Sequence, residues 1–214
     1  MSAKNPPPGN PDRPASMLPM LPQDADGGLA ARVSAALLDL VATRPSSQRS
    51  ASAQPSDAAR AAQGVVEQAA RKAALAAGSL ALPPGAIGWL TVLPELLTVW
   101  RIQRQAVADI AAIYGRSADL GREQMLYCLF RHTAAQAVRD LAVRMGERVV
   151  IQPATAGMLK IISSKIGVSL SESLLRKSIS RWIPLAGAAA VGAYAFYDTQ
   201  RVVSTAISLF EGDA

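Results

Sequence analysis

Apolar residues recur at helical spacing in successive segments from Leu29 to Phe210. Leu29, Val33, Leu37 and Leu40/Val41 form one such stripe, which predicts a short amphipathic helix over 29–42, ended by Arg44-Pro45. A second helix is expected from a Ser56 cap to about Ala77, with Gly78 as its stop. A long apolar stretch follows over Ala73–Trp100, where Glu95 is the single charge and Pro83, Pro84 and Pro94 interrupt the run. Pro94 suits the first position of a helix to Tyr114, because its missing amide costs nothing there, and Glu95 suits the positive end of the helix dipole. Gly115 should end it.

The second half continues the pattern. Asp119 is expected to cap a long helix over about Leu120–Met145, with Leu126, Leu129/Phe130 and Leu141 on its apolar side. Two short helices follow, one from Thr155 to a stop at Gly167, the other opened by a Ser169-x-x-Glu172 capping box and running to Trp182. Pro184 opens the last helix, to about Phe210. Its first part belongs to the uncharged run Trp182–Tyr197, where Ala188 and Gly192 make a small-x-x-x-small surface that lets another helix backbone come close. The expected fold is all-α: a single compact domain of Ala-rich helices with apolar hairpin segments over 56–214, preceded by a Pro/Ser-rich arm over 1–55 that carries the 29–42 helix. The arm is expected to be disordered because residues 1–25 hold seven of the 14 prolines, and proline propagates neither helix nor sheet. On that reading, deleting 1–55 leaves the fold intact.

Neither apolar run makes a simple membrane span. About 20 unbroken apolar residues are needed, whereas Trp182–Tyr197 offers 16, many of them Ala or Gly, and Ala73–Trp100 is broken three times. The apolar segments therefore either pack on each other or form a shallow hairpin in the membrane surface. Charge adds to this picture. The net charge is +6, and Lys160, Lys165, Arg176, Lys177 and Arg181 stand against Glu172 in the stretch leading into Trp182. A basic amphipathic segment feeding an uncharged one, with Trp at the junction, predicts contact with anionic lipid. No nucleic-acid partner is expected, because the basic residues are not interleaved with aromatics and no reader motif is present.

Candidate chemistry is sparse. Cys128 is the only cysteine and His132 the only histidine. As an i, i+4 pair on one helix they supply two ligands, with no second set to complete a metal site, and no Gly-rich phosphate loop is present. No catalytic residue, metal or cofactor is expected, and Cys128 should be a small core residue. At 100° per residue, Leu96, Trp100, Val107, Ala111 and Tyr114 share a face with Arg104 at its centre, while Arg101 and Gln105 fall elsewhere. An arginine in an apolar stripe must snorkel, pair or meet a ligand. Asp198 sits on a small-residue face of the last helix, so Arg104, Asp198, Arg101 and Gln105 form a candidate polar core, with Arg104 and Asp198 as a buried pair.

Three segments resemble one family: PPGAIGWLTVLPELLTVWRIQRQAVADIAAIYG (83–115), REQMLYCLFRH (122–132) and RWIPLAGAAAVGAYAFYDTQ (181–200) are similar to the EcsC protein family. Arg101, Gln105, Tyr114 and Gly115 match its first motif, and Ile183, Pro184 and Gly187 its later Ile-Pro-x-x-Gly segment. The resemblance covers about Ser56–Phe210 and does not extend to the 1–55 arm. It implies a bacterial, all-helical, membrane-associated protein without catalytic residues, linked through the family's founding member to an ABC transporter. The expected role is a non-enzymatic helical accessory protein, cytoplasmic and peripheral on the inner face of the membrane, with anionic lipids and a membrane protein or transporter as partners. The alternative is a soluble helical protein-protein interaction module. Oligomeric state is left open.

Overall fold

The computed structural model describes residues 24–43, 45–47, 49–80, 88–135, 156–177 and 184–212. Among them are six helices: α1 (Asp24–Ala42), α2 (Pro55–Leu80), α3 (Gly88–Ile113), α4 (Arg122–Phe130), α5 (Ala156–Lys177) and α6 (Pro184–Glu211). No strand occurs among the described residues, so the all-α expectation holds. The expected disorder of 1–25 and the connector around 146–153 fall outside the described residues, apart from the first residues of α1.

The helices pack in two groups joined by α3 and α4. α2 lies along α6 and α3, α3 also packs on α6, and α1 lies along α5. α4 touches α1, α3 and α6. Most of the buried apolar residues form one cluster, with Leu37 of α1, Val65 of α2, Val107 and Ile110 of α3, Leu126 and Phe130 of α4, Ile166 of α5 and Val202 of α6 among its members. Trp100 meets Phe130 edge to face, with centroids 5.4 Å apart and planes at 84°, a favoured aromatic geometry. Of the α1 stripe read from the sequence, Val33, Leu37, Leu40 and Val41 are buried and Leu29 is half-buried, and the helix starts five residues before Leu29. Its apolar side belongs to the common core.

Alanine sets the spacing of the α2 layer. Ala58, Ala62, Val65, Ala69, Ala73 and Ala77 are buried along one side of that helix. Gly78 does not stop α2. It faces Gly192 of α6, and a Cβ added at Gly192 would sit 3.1 Å from the carbonyl oxygen of Ala74. The expected small-residue surface of the last helix thus meets α2 backbone to backbone.

Four other helix boundaries depart from the sequence reading. Pro94 is inside α3 and not at its start; Thr98 Oγ1 donates to the Pro94 carbonyl at 2.9 Å. Asp119 does not cap α4. It pairs with Arg116, and Gly121 takes the cap position, its amide donating to Gln124 Oε1 at 3.0 Å. α4 ends at Phe130 and 131–134 are turn and bend, so the long 120–145 helix is interrupted here. Gly167 neither stops a helix nor leads into a cap at Ser169, because α5 runs through both. Its lack of a side chain serves packing: a Cβ there would lie 2.7 Å from the Ala30 carbonyl oxygen of α1. Local stop signals are overruled wherever a glycine is needed for close approach of two helices.

The end of α3 is as expected. Gly115 has φ +69°, its amide bonds the Ala112 carbonyl at 3.0 Å, and the Arg116 amide bonds the Ala111 carbonyl at 2.7 Å. This is a Schellman closure, which needs a left-handed residue that glycine supplies at no steric cost. The described residues 45–47 and 49–54 are irregular and fastened to α3. Ser47 Oγ donates to Asp109 Oδ1 at 2.8 Å, Gln105 Nε2 donates to the Ser46 carbonyl at 3.0 Å, and the Ser52 amide donates to the Ile113 carbonyl at 3.0 Å.

Candidate functional site

Arg104 and Asp198 do not pair. Arg104 turns toward the C-terminal end of α1, where Nη1 donates to the carbonyl of Leu40 and, at 3.4 Å, to that of Thr43. Arg122 of α4 adds Nη2 on the Ala42 carbonyl at 3.5 Å. The last turn of a helix leaves carbonyls unsatisfied and carries partial negative charge. Two guanidiniums from different helices close that end of α1, and this is why an arginine interrupts the apolar stripe of α3. Arg101 and Gln105 are exposed, so neither belongs to a buried polar core.

The partner of Asp198 on α3 is the preceding residue, Gln103, which is fully buried. Gln103 Nε2 donates to Asp198 Oδ2 at 2.7 Å and to Thr199 Oγ1 at 3.2 Å. His132, in the turn after α4, completes the carboxylate with Nε2 2.8 Å from Asp198 Oδ1. The His132 and Asp198 side chains are 15% and 14% exposed. The carboxylate therefore joins three elements that share no sequence neighbourhood. Gln103 lies on the same side of α3 as Val99, Trp100 and Val107, and that register was the available signal for it. Nothing near His132 in the sequence points to Asp198.

The second ring nitrogen of His132 is not engaged by the cluster. Nδ1 of His132 is buried and has no hydrogen-bond partner among the described residues. Cys128, one turn earlier, is fully buried, and burial pushes its thiol up to about 12, so it is a core residue, as expected. No group of three or more His, Cys, Asp or Glu side chains able to hold a metal occurs among the described residues.

Beside this cluster, and sharing His132 with it, lies a cavity of about 480 Å³, lined by Arg131, His132, Tyr197, Gln200, Arg201, Ser204 and Thr205. Tyr194 flanks the Asp198–Arg201 stretch; its phenol is raised above the usual range by burial, then by the Asp198 charge, with Arg201 opposing. Of the family-motif positions, Tyr114 and Gly115 form the α3 corner, where burial and then Glu211 raise the Tyr114 phenol. Pro184 and Gly187 lie in the first turn of α6, and Ile183 falls outside the described residues. Of the candidate lipid contacts, Lys160 and Lys165 are exposed on α5, Arg176 and Lys177 lie in its last turn, and Arg181 is outside the described residues. Between the two exposed lysines and just beyond them stand Ile161, 59% exposed, and Val168, 46% exposed. No described helix is long and apolar enough to cross a membrane.

Comparisons of the chain with protein-family models, with curated proteins and with solved structures find no match.

Proposed function

We propose that this is a non-enzymatic, peripheral membrane-associated helical accessory protein that rests on anionic lipid through the outer face of α5. The observation that carries the reading is on that helix. Ile161, Lys165 and Val168 recur at i, i+4 and i+7, with Lys160 alongside, so exposed apolar side chains stand among ammonium groups. Glu172 follows on the same face and lowers the positive balance without cancelling it. An apolar pair that dips below the headgroups, held by lysines at the phosphate level, suits a surface-lying helix. The EcsC-like motifs extend the reading to the inner face of the cytoplasmic membrane and to a membrane process involving a transporter.

A second reading, a soluble helical interaction module, is favoured by one observation. Trp100, Val107 and Ala111 of α3 and Val202, Val203 and Ala206 of α6 are buried, so these apolar stripes are used within the fold. One experiment separates the two. The purified chain is sedimented with vesicles of phosphatidylcholine alone and with added phosphatidylserine. Binding to the anionic vesicles, lost in Lys160→Glu/Lys165→Glu and weakened in Ile161→Ser, supports the membrane reading. Absence of binding to either vesicle overturns it and leaves the interaction module.

A further inference from the structure

The cavity beside His132 is lined by cations without a carboxylate among the described residues. Arg201 has no ion-pair partner there, although Asp198 is only three residues away on the same helix. The geometry explains this: both oxygens of Asp198 are taken by Gln103 and His132, so the acid is turned inward while Arg201 stays exposed. Arg131 is also exposed, with its guanidinium 5.4 Å from the Tyr127 ring centroid. Stacking on an aromatic face leaves the edge donors of a guanidinium available. Thr205 Oγ1 is committed to the Arg201 carbonyl at 2.9 Å, whereas the Ser204 hydroxyl and the Gln200 amide line the cavity with no side-chain hydrogen bond among the described residues. Tyr197, 64% exposed, forms an aromatic side.

We infer that this cavity is a binding site for a phosphate monoester, with Arg131 and Arg201 holding the phosphate and Tyr197 contacting the group it is attached to. Two guanidinium forks, a hydroxyl and an amide offer more donors than one carboxylate can accept, whereas the terminal oxygens of a phosphate monoester match a double fork. The volume lies in the range of small-molecule sites and exceeds what a bare phosphate fills. The inward-facing Asp198 keeps His132 in place with both carboxylate oxygens already engaged. The site is independent of the α5 face.

His132 is the only histidine, so its imidazole resonances report on this cavity alone. The full chain is titrated with phenyl phosphate, inorganic phosphate and benzoate, followed by His132 shifts and calorimetry. In a second arm it is mixed with phosphatidylcholine vesicles with and without phosphatidate. Saturable 1:1 binding of phenyl phosphate, tighter than phosphate or benzoate, with His132 shifting, supports a soluble ligand. Binding only to phosphatidate vesicles, lost in Arg131→Ala and Arg201→Ala but kept in Lys160→Glu/Lys165→Glu, supports a lipid headgroup at the same site. Each arginine variant should weaken binding about tenfold or more, Arg201→Lys less so, and Arg60→Ala on α2 not at all. Both guanidiniums are exposed, and unchanged melting of the variants will show that the fold is retained. No response in either arm, or binding indifferent to both arginine variants, overturns the inference.

Discussion

His132 Nε2 sits 2.8 Å from Asp198 Oδ1 and ties the end of α4 to the middle of α6, while Gln103 of α3 holds the other carboxylate oxygen. Removing the carboxylate would strand two donors in a site almost closed to water. Asp198→Ala should therefore destabilise the protein by about 2–4 kcal/mol, roughly one orphaned donor each for Gln103 and His132, with Asp198→Asn milder because one acceptor remains. Urea denaturation measures this. A double-mutant cycle of Asp198→Ala with His132→Ala should show coupling, and one with Arg104→Ala should be additive within about 0.5 kcal/mol. Coupling of Arg104 with Asp198, and none of His132, would reverse the assignment.

Glycines at helix crossings should behave opposite to those on open faces. At Gly167 a Cβ meets the Ala30 carbonyl at 2.7 Å, a backbone atom that cannot swing away. Gly167→Ala should lower stability by about 1–3 kcal/mol, and Gly192→Ala, at 3.1 Å from the Ala74 carbonyl, by somewhat less. A Cβ added at Gly64, in the exposed middle of α2, would meet nothing within 4 Å. Gly64→Ala should stabilise by about 0.5–1 kcal/mol through helix propensity alone. Thermal melts of the three variants give the order directly; equal effects would mean that the helix crossings are not set by these glycines.

Cys128 should be silent toward thiol reagents in the folded protein. With its pKa pushed up to about 12, about one thiol in ten thousand is ionised at pH 8, and the thiolate is the nucleophile. Reaction with a disulfide reagent should appear only on unfolding. The same burial acts on stability in alkali. Above about pH 9, the ordinary value for a thiol, the unfolded chain releases the proton and the folded chain keeps it. Unfolding is then favoured as pH rises, and this contribution is lost progressively between pH 9 and 12. The raised phenols of Tyr114 and Tyr194 act in the same direction. Denaturation midpoints from pH 8 to 11 should fall; rapid labelling of native Cys128 at pH 8 would contradict its placement.

The helical class, the α1 stripe and the Gly115 corner were legible because each rests on near neighbours in sequence: a repeat of 3.6 residues, or one residue that must be left-handed. The polar pairing was not. Arg104 and Asp198 were both recognised as polar groups on apolar faces, yet each found a different partner. Arg104 met carbonyls at the end of α1, and backbone acceptors carry no mark in a sequence. Asp198 met Gln103, one position from the expected residue, and a shift of one residue turns a helical side chain by about 100°. Gly78 and Gly167 misled for a related reason, since a glycine that ends a helix and one that admits a neighbouring helix look alike until that neighbour is placed.

The grip of Arg104 and Arg122 on the end of α1 changes where this chain can be cut. A boundary at residue 55 follows composition, but it would remove Val33, Leu37, Leu40 and Val41 from the core and bare the side of α5 that faces Ala30 and Ser34. It would also leave a guanidinium of α3 aimed at carbonyls no longer there. A gene fragment beginning at residue 56 is therefore expected to yield a polypeptide prone to aggregate, and a useful expression boundary lies ahead of Asp24.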